Sequence, residues 1–140
     1  MRFDLAKALG DAALSSASQR GLPPLAIVIL DTGAHVKFAA TQDGAGPLRY
    51  PIALAKANAA IGMGMSTRQL FSLFEGELLP DRFSNAISSV ATHGFAPQPG
   101  GELVMVDGLP VGAIGISGAS SDQDEAIALA ALQSVKQAFV

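Results

Sequence analysis

Two cations flank the apolar side of a segment with helical spacing. Lys56 lies one turn after Ile52, beside the stripe Ile52, Ala55, Ala59 and Met63, and Arg49 falls on the other flank of that stripe. Positive charges against an apolar face suit an anionic ligand, a carboxylate or a phosphate. They equally suit long side chains whose stems cover apolar surface while the heads reach water or pair with Asp or Glu. The sequence leaves both readings open. Tyr50, next to Arg49, and His93, which precedes Gly94-Phe95 in an apolar loop, complete the set of candidate ligand contacts. Burial lowers a lysine pKa toward a useful range, so Lys56 also suits an enzyme acting on a small carboxylate, as acid/base or electrostatic clamp.

Other chemistry is less well provided for. The two imidazoles, His35 and His93, lie far apart, and no His-x-x-x-His or paired-carboxylate spacing is present, so no metal site is expected. Asp122, Asp124 and Glu125 cluster where a helix begins. There, acidic side chains stabilise the helix dipole, which the pattern favours over a cation site. Glycine-containing turns precede two helices, at Asp43-Gly44-Ala45-Gly46 and Ser117-Gly118-Ala119-Ser120. Exposed N–H groups at Gly44, Gly46, Gly118 and Ser120 make these turns candidate anion sites. The word Gly112-x-x-Gly115-x-x-Gly118 places its first two glycines inside a strand and is no dinucleotide fingerprint. No Gly-x-Ser-x-Gly elbow is present, so as an enzyme sequence the chain is weak.

The elements that must position these residues are legible. Phe3 to Arg20 carries Leu5, Leu9, Ala12, Ala13 and Ala17 at helical spacing, with Gly21 as the C-terminal cap. After Pro23-Pro24, the continuous apolar run Leu25 to Leu30 predicts a strand buried on both faces. Asp31-Thr32-Gly33 turns it into a partner strand over His35 to Thr41, with Val36, Phe38 and Ala40 on one face. A helix follows from Leu48 to Ala60 or Met63, with Ala53, Ala57 and Ala60 as a second, smooth side. Ser66 and Gln69 form a capping-box pattern for a short helix through Phe74. Gly76 to Pro99 is the least readable segment, with a helix expected around Arg82–Val90. Glu102 to Val106 and Pro110 to Ser117 flank the hairpin turn Asp107-Gly108. Ser121 and Asp124 are read as the cap of a last helix, whose stripe is Ile127, Ala131, Val135 and Ala138.

The order is α-β-β-α-(α)-β-β-α. Two hairpins separated by helices predict an α+β fold, an antiparallel sheet covered by helices. On the last strand Gly112, Ile114 and Ile116 share one face, and Val111, Ala113, Gly115 and Ser117 share the other. The second face is thin, and a close-packed helix, the last or the alanine-rich one, is expected to fill it.

Bulk composition bounds the function. The chain of 140 residues reads as one domain over 1–140. Hydrophobic residues make up 49% and charged residues 15%, a charge-poor balance that points to surface covered by further copies of the chain. A net charge of −3 with no basic run disfavours nucleic acid. Cysteine is absent, which excludes disulfides and thiolate chemistry. No apolar run reaches the roughly 18 residues of a membrane span, and the first residues lack a signal-peptide core, so the expectation is a cytoplasmic protein with no membrane partner.

Four pieces in order carry a family resemblance. They are Val28-Ile29-Leu30-Asp31-Thr32-Gly33; Asp43-Gly44-Ala45; Ala55-Lys56-Ala57-Asn58-Ala59-Ala60; and Pro99-Gly100-Gly101 with Val111-Gly112-Ala113-Ile114-Gly115-Ile116-Ser117-Gly118 and Asp124-Glu125. The ordered set resembles the GlcG/HbpS-like haem-binding (haem-degrading) domain family, which also forms the C-terminal domain of PduO-type proteins. Gly62–Ala96 has no counterpart in that pattern. The resemblance implies a profilin-like or PAS-like sheet, assembly into homo-oligomers larger than a dimer, and, in some members, haem or a corrinoid as cofactor. It transfers no named ligand. His93, His35, Tyr50, Met63 and Met65 are the side chains able to ligate a haem iron, with Arg49 or Lys56 facing its propionates. The plainer account of the histidines is a backbone-bonded loop residue at 93 and a solvent-facing hairpin residue at 35. The expected role is a small-ligand-binding accessory domain of a catabolic pathway, more in keeping with a binding module than an enzyme. A purely structural oligomeric scaffold is the third reading.

Overall fold

The computed structural model describes the backbone of residues 1–139 and the side chains of residues 1–136. The chain runs α1 (Phe3–Gln19), β1 (Ala26–Asp31), β2 (Val36–Thr41), α2 (Arg49–Met63), α3 (Thr67–Glu75), α4 (Asp81–Ser88), β3 (Gly101–Val106), β4 (Leu109–Ser117) and α5 (Ser121–Phe139). The four strands form one antiparallel sheet in the order β2-β1-β4-β3. Each hairpin thus keeps its two strands adjacent, and the inner strands of the two hairpins, β1 and β4, pair in the centre. The α+β expectation and its element order hold, with three helices, α2, α3 and α4, between the hairpins where the order carried one and an optional second.

Burial on both faces of the central strands divides the core in two. On one side Leu25, Ile27, Ile29, Ile114 and Ile116 pack against α1 and α5 through Leu5, Leu9, Ala13, Ile127, Ala131 and Val135. On the other, Ala26, Val28, Leu30 and Ala113 pack against Ala53, Ala57 and Ala60 of α2. The apolar run of β1 needs no alternation because both faces are covered. No helix among the described residues is long and apolar enough to cross a membrane.

Several local expectations are met, and others need correction. The Ser66–Gln69 capping box is present, and the hairpin turn Asp107-Gly108 has positive φ at both residues, as a type I′ turn requires. On α2 the smooth alanine side, not the stripe with Ile52, Ala55 and Met63, faces the sheet, and Lys56 is buried with it. The reason is the thin face of β4. A Cβ at Gly115 would meet the Ala53 carbonyl and the Ala57 nitrogen, so the helix backbone lies directly on the strand. A bulge in the β3–β4 register between Val104 and Met105 turns Val111 toward α1 and α5, opposite to the face that strict alternation assigns it. The box at the start of α5 is Ser120 with Gln123: the Ser120 nitrogen donates to Gln123 Oε1 and the Gln123 nitrogen to Ser120 Oγ. Neither Ser121 nor Asp124 holds the place first read for it. The Ala138 side chain lies outside the described residues.

Candidate functional site

The Lys56 ammonium is committed inside the protein. Nζ donates to the Ile116 carbonyl at 2.9 Å and to Asp124 Oδ2 at 3.0 Å. The two residues are 3% and 2% exposed, and Asp124 Oδ1 also accepts from the Ala119 nitrogen. The pair ties α2 to the end of β4 and the first turn of α5. Burial holds Lys56 below the ordinary lysine value, against the opposing pull of Asp124, and the Arg49 charge lowers it further. At the turn of Gly118 and Ser120 the chain's own side chains intervene: Gln123 Oε1 takes the Ser120 N–H and Asp124 Oδ1 the N–H of Ala119 between them. A Cβ at Gly118 would overlap Leu25, a packing reason for that glycine. Gly44 and Gly46 are exposed in the turn before α2.

Outside this pair lies a second, more open cluster. Arg68 donates to both Glu125 oxygens and to Asp122, linking α3 to α5. Glu102 sits nearby on β3, where burial, reinforced by the Glu125 charge and opposed by Arg68, pushes its carboxyl up to about 7. Asp122 and Glu125 thus act as ion-pair partners of Arg68, beyond any effect on the helix dipole.

The histidines meet elsewhere. A hollow of about 450 Å³ is lined by Gly33, Ala34 and His35 of the β1–β2 turn, by Asn58, Gly62 and Met63 of α2, and by Ile87, Ala91, Thr92, His93 and Phe95. Asp31 builds the turn: its Oδ1 accepts from the Gly33 nitrogen at 3.0 Å and the His35 nitrogen at 2.9 Å. His35 Nδ1 lies 3.1 Å and 3.2 Å from the two Asp31 carboxylate oxygens, and the ring is 79% exposed. His93 Nε2 donates to the Ala34 carbonyl at 2.9 Å, and Asn58 Nδ2 donates to the Gly94 carbonyl at 2.8 Å, so the 93–95 loop is pinned to both the turn and α2. Phe83 of α4 meets Phe95 edge to face, with ring centroids 6.5 Å apart.

Lys56, Arg49 and His93 do not converge on one cavity. Arg49 opens α2 and Gly62 lies at its far end, about 20 Å away at 1.5 Å rise per residue. Lys56 points into the sheet side, and neither cation lines the histidine hollow. Tyr50 is exposed at the Arg49 end. His35, His93 and Met63 are brought together, while Met65 is not among the lining residues. Sequence reasoning missed Arg68, Glu102 and the role of Asp31. The last had a local signal, since an Asp two positions before Gly and four before His is the pattern of an Asx turn with a histidine at its exit.

The geometry can be set beside known proteins. Residues 1–133 match the family described as haem-degrading protein HbpS-like. No curated protein matches the chain significantly. Among solved structures, a double mutant of HbpS from Streptomyces reticuli is 27% identical, with 96% of this chain and 86% of that chain covered and a TM-score of 0.78. A structure described as a PduOC:heme complex is 25% identical, covering 96% and 94% of the two chains, with a TM-score of 0.81. The protein ORFY of Klebsiella pneumoniae, at 20% identity, 97% and 90% coverage and a TM-score of 0.84, shares the fold.

Proposed function

Given that the chain belongs to the family of HbpS-like haem-degrading proteins, we propose that it is a haem-binding domain whose ligand sits in the hollow between the β1–β2 turn, the end of α2 and the 87–95 segment. The observation that carries this reading is His35: its ring lines the hollow, Nδ1 is taken by Asp31, and Nε2 has no partner among the described residues. A free imidazole nitrogen on an exposed ring is the donor a haem iron requires.

The remaining residues fit the group. Met63 offers a thioether on the α2 wall, and Ile87, Ala91 and Phe95 supply apolar surface for a flat macrocycle. The volume falls within the range of small-molecule sites, about 300–1,000 Å³. No cation lines the hollow among the described residues, so the propionates would point to solvent. When bound, haem would supply a redox-active iron. The protein's part is to hold the iron through His35 and to exclude water with the Phe95 side. His93, whose Nε2 is spent on the Ala34 carbonyl, braces the turn.

The reading includes self-association. An apolar trough of about 880 Å³, lined in part by Leu103, Val106, Leu129 and Leu132, runs between α1, α5 and the β3–β4 hairpin, and the charge-poor composition favours covering it with further copies of the chain.

Haemin titration tests the function. The Soret band is expected to shift and sharpen with wild type and to lose the shift with His35→Ala. An unshifted band in wild type, or a shift unchanged by His35→Ala, overturns the proposal.

A further inference from the structure

The contact between Asp31 and His35 has a chemical consequence that a distance alone does not state. A carboxylate can only accept, so where His35 Nδ1 approaches Asp31 Oδ1 and Oδ2 at 3.1 Å and 3.2 Å, the proton must be on Nδ1. A neutral imidazole carries one N–H, and Nε2 is then a bare lone pair. His93 shows the opposite arrangement. Its Nε2 faces the Ala34 carbonyl, which also only accepts, so there the proton is on Nε2. The two histidines of one hollow are held in opposite tautomers by acceptors three residues apart on the same turn.

We propose that Asp31 is a positioning residue that presets His35 as an Nε2 donor, fixing its tautomer and ring direction before any ligand arrives. The proposal rests on the haem reading for its destination, the iron, but its first half concerns the ligand-free protein. Three features make Asp31 suited to this. Its carboxylate is anchored by two backbone N–H groups, of Gly33 and His35, so it is itself oriented. It belongs to the last residue of the central strand β1, paired with Gly112 of β4, so the anchor is part of the sheet and not of a free loop. The turn is braced on its far side by His93, which holds Ala34 in its left-handed conformation at φ 61. A carboxylate behind a ligating histidine also raises the basicity of the ring, which strengthens its bond to a metal.

The variant Asp31→Asn separates the roles. Its amide oxygen keeps the acceptor for the Gly33 and His35 nitrogens, so the turn survives. Its NH₂ group would replace Oδ2 beside His35 Nδ1, so that nitrogen can either donate to Oδ1 or accept from the amide, and the carboxylate's enforcement of one tautomer is lost with its charge.

The first measurement uses the ligand-free wild-type protein with ¹⁵N-labelled histidine, at a pH where the ring is neutral. Long-range ¹H–¹⁵N spectra are expected to show His35 with a protonated Nδ1 and an unprotonated Nε2. An Nε2–H form, or the mixture typical of a free imidazole, overturns the proposal whatever haemin does. In Asp31→Asn the single Nδ1–H form is expected to give way to a mixture of tautomers with the Gly33 amide resonance still dispersed, and haemin affinity to fall about 10- to 100-fold. A tautomer mixture with unchanged affinity overturns the positioning role, and a single Nδ1–H form retained in Asp31→Asn overturns the carboxylate as its cause. A wild-type protein with the expected tautomer and no Soret response leaves the preset in place and instead sinks the haem reading.

Discussion

At the scale of single residues, the chain spends its central lysine on architecture. Lys56 and Asp124 are 68 positions apart and almost completely buried. Taking one charge away strands the other in a low-dielectric site, a loss of about 3–5 kcal/mol. Lys56→Met is therefore expected to lower the melting temperature by on the order of 10 °C for a domain of this size. Asp124→Asn keeps an acceptor for the Ala119 nitrogen, so the double variant Lys56→Met/Asp124→Asn removes both charges while leaving the helix start intact. It should be more stable than Lys56→Met alone. Thermal unfolding of the four proteins checks this; a double variant as damaged as the sum of the singles would show the two side chains acting independently. The ammonium already has two acceptors and lines no part of the histidine hollow, so Lys56 is committed away from any ligand there.

At the scale of elements, what could be read from the sequence was what local rules determine. The buried strand β1, the turns at Asp31 and Asp107, the box at Ser66 and the stripe of α1 each depend on residues within a few positions, and each stands where it was expected. The inward face of α2 was ambiguous because two stripes fit a helix equally well, one with Ile52 and Met63 and one of alanines. The choice is made by Gly115, on a strand that joins the chain more than fifty residues later. That glycine gives a test. In Gly115→Ala the new methyl would press on the Ala53 carbonyl, a backbone atom that moves only if all of α2 moves. Overpacking of this kind costs about 1–3 kcal/mol. The variant should unfold at correspondingly lower denaturant, while Gly62→Ala, where nothing lies within 4 Å of the added methyl, should not. A Gly115→Ala variant as stable as the wild type would show that α2 does not press on the strand at this position. The α4 region was hard to read for a different reason. α4 is short and buries no residue although its sequence is amphipathic, so its pattern alone does not say what it packs on, and the hollow it borders could be found only once the 93–95 loop was seen pinned to α2 and to the turn. The hollow itself was half legible: the sequence supplied His35, His93 and Met63 as iron ligands but placed Lys56 and Arg49 with them, because spacing along one helix cannot show which end faces which loop.

At the scale of the whole molecule, the two helix layers present different surfaces. The hollow belongs to the α2 side and the tip of the β1–β2 hairpin, whereas the apolar trough belongs to α1, α5 and the β3–β4 hairpin, and the two share no lining residue. On the trough, Met105 and Leu129 are 49% and 48% exposed, an arrangement that favours a covering copy of the chain. Fully burying a leucine contributes about 1.5–3 kcal/mol, so placing a charge at Leu129 should weaken each contact through the trough at least about tenfold. Sedimentation velocity at micromolar concentration is expected to give a species larger than a dimer for wild type and smaller species for Leu129→Glu, with the same circular dichroism. A monomeric wild type would remove self-association. Because the hollow lies on the opposite layer, Leu129→Glu should take up haemin as the wild type does. If dissociation instead abolished the Soret shift, the ligand would have to bridge subunits, and the hollow of a single chain would be only part of its site.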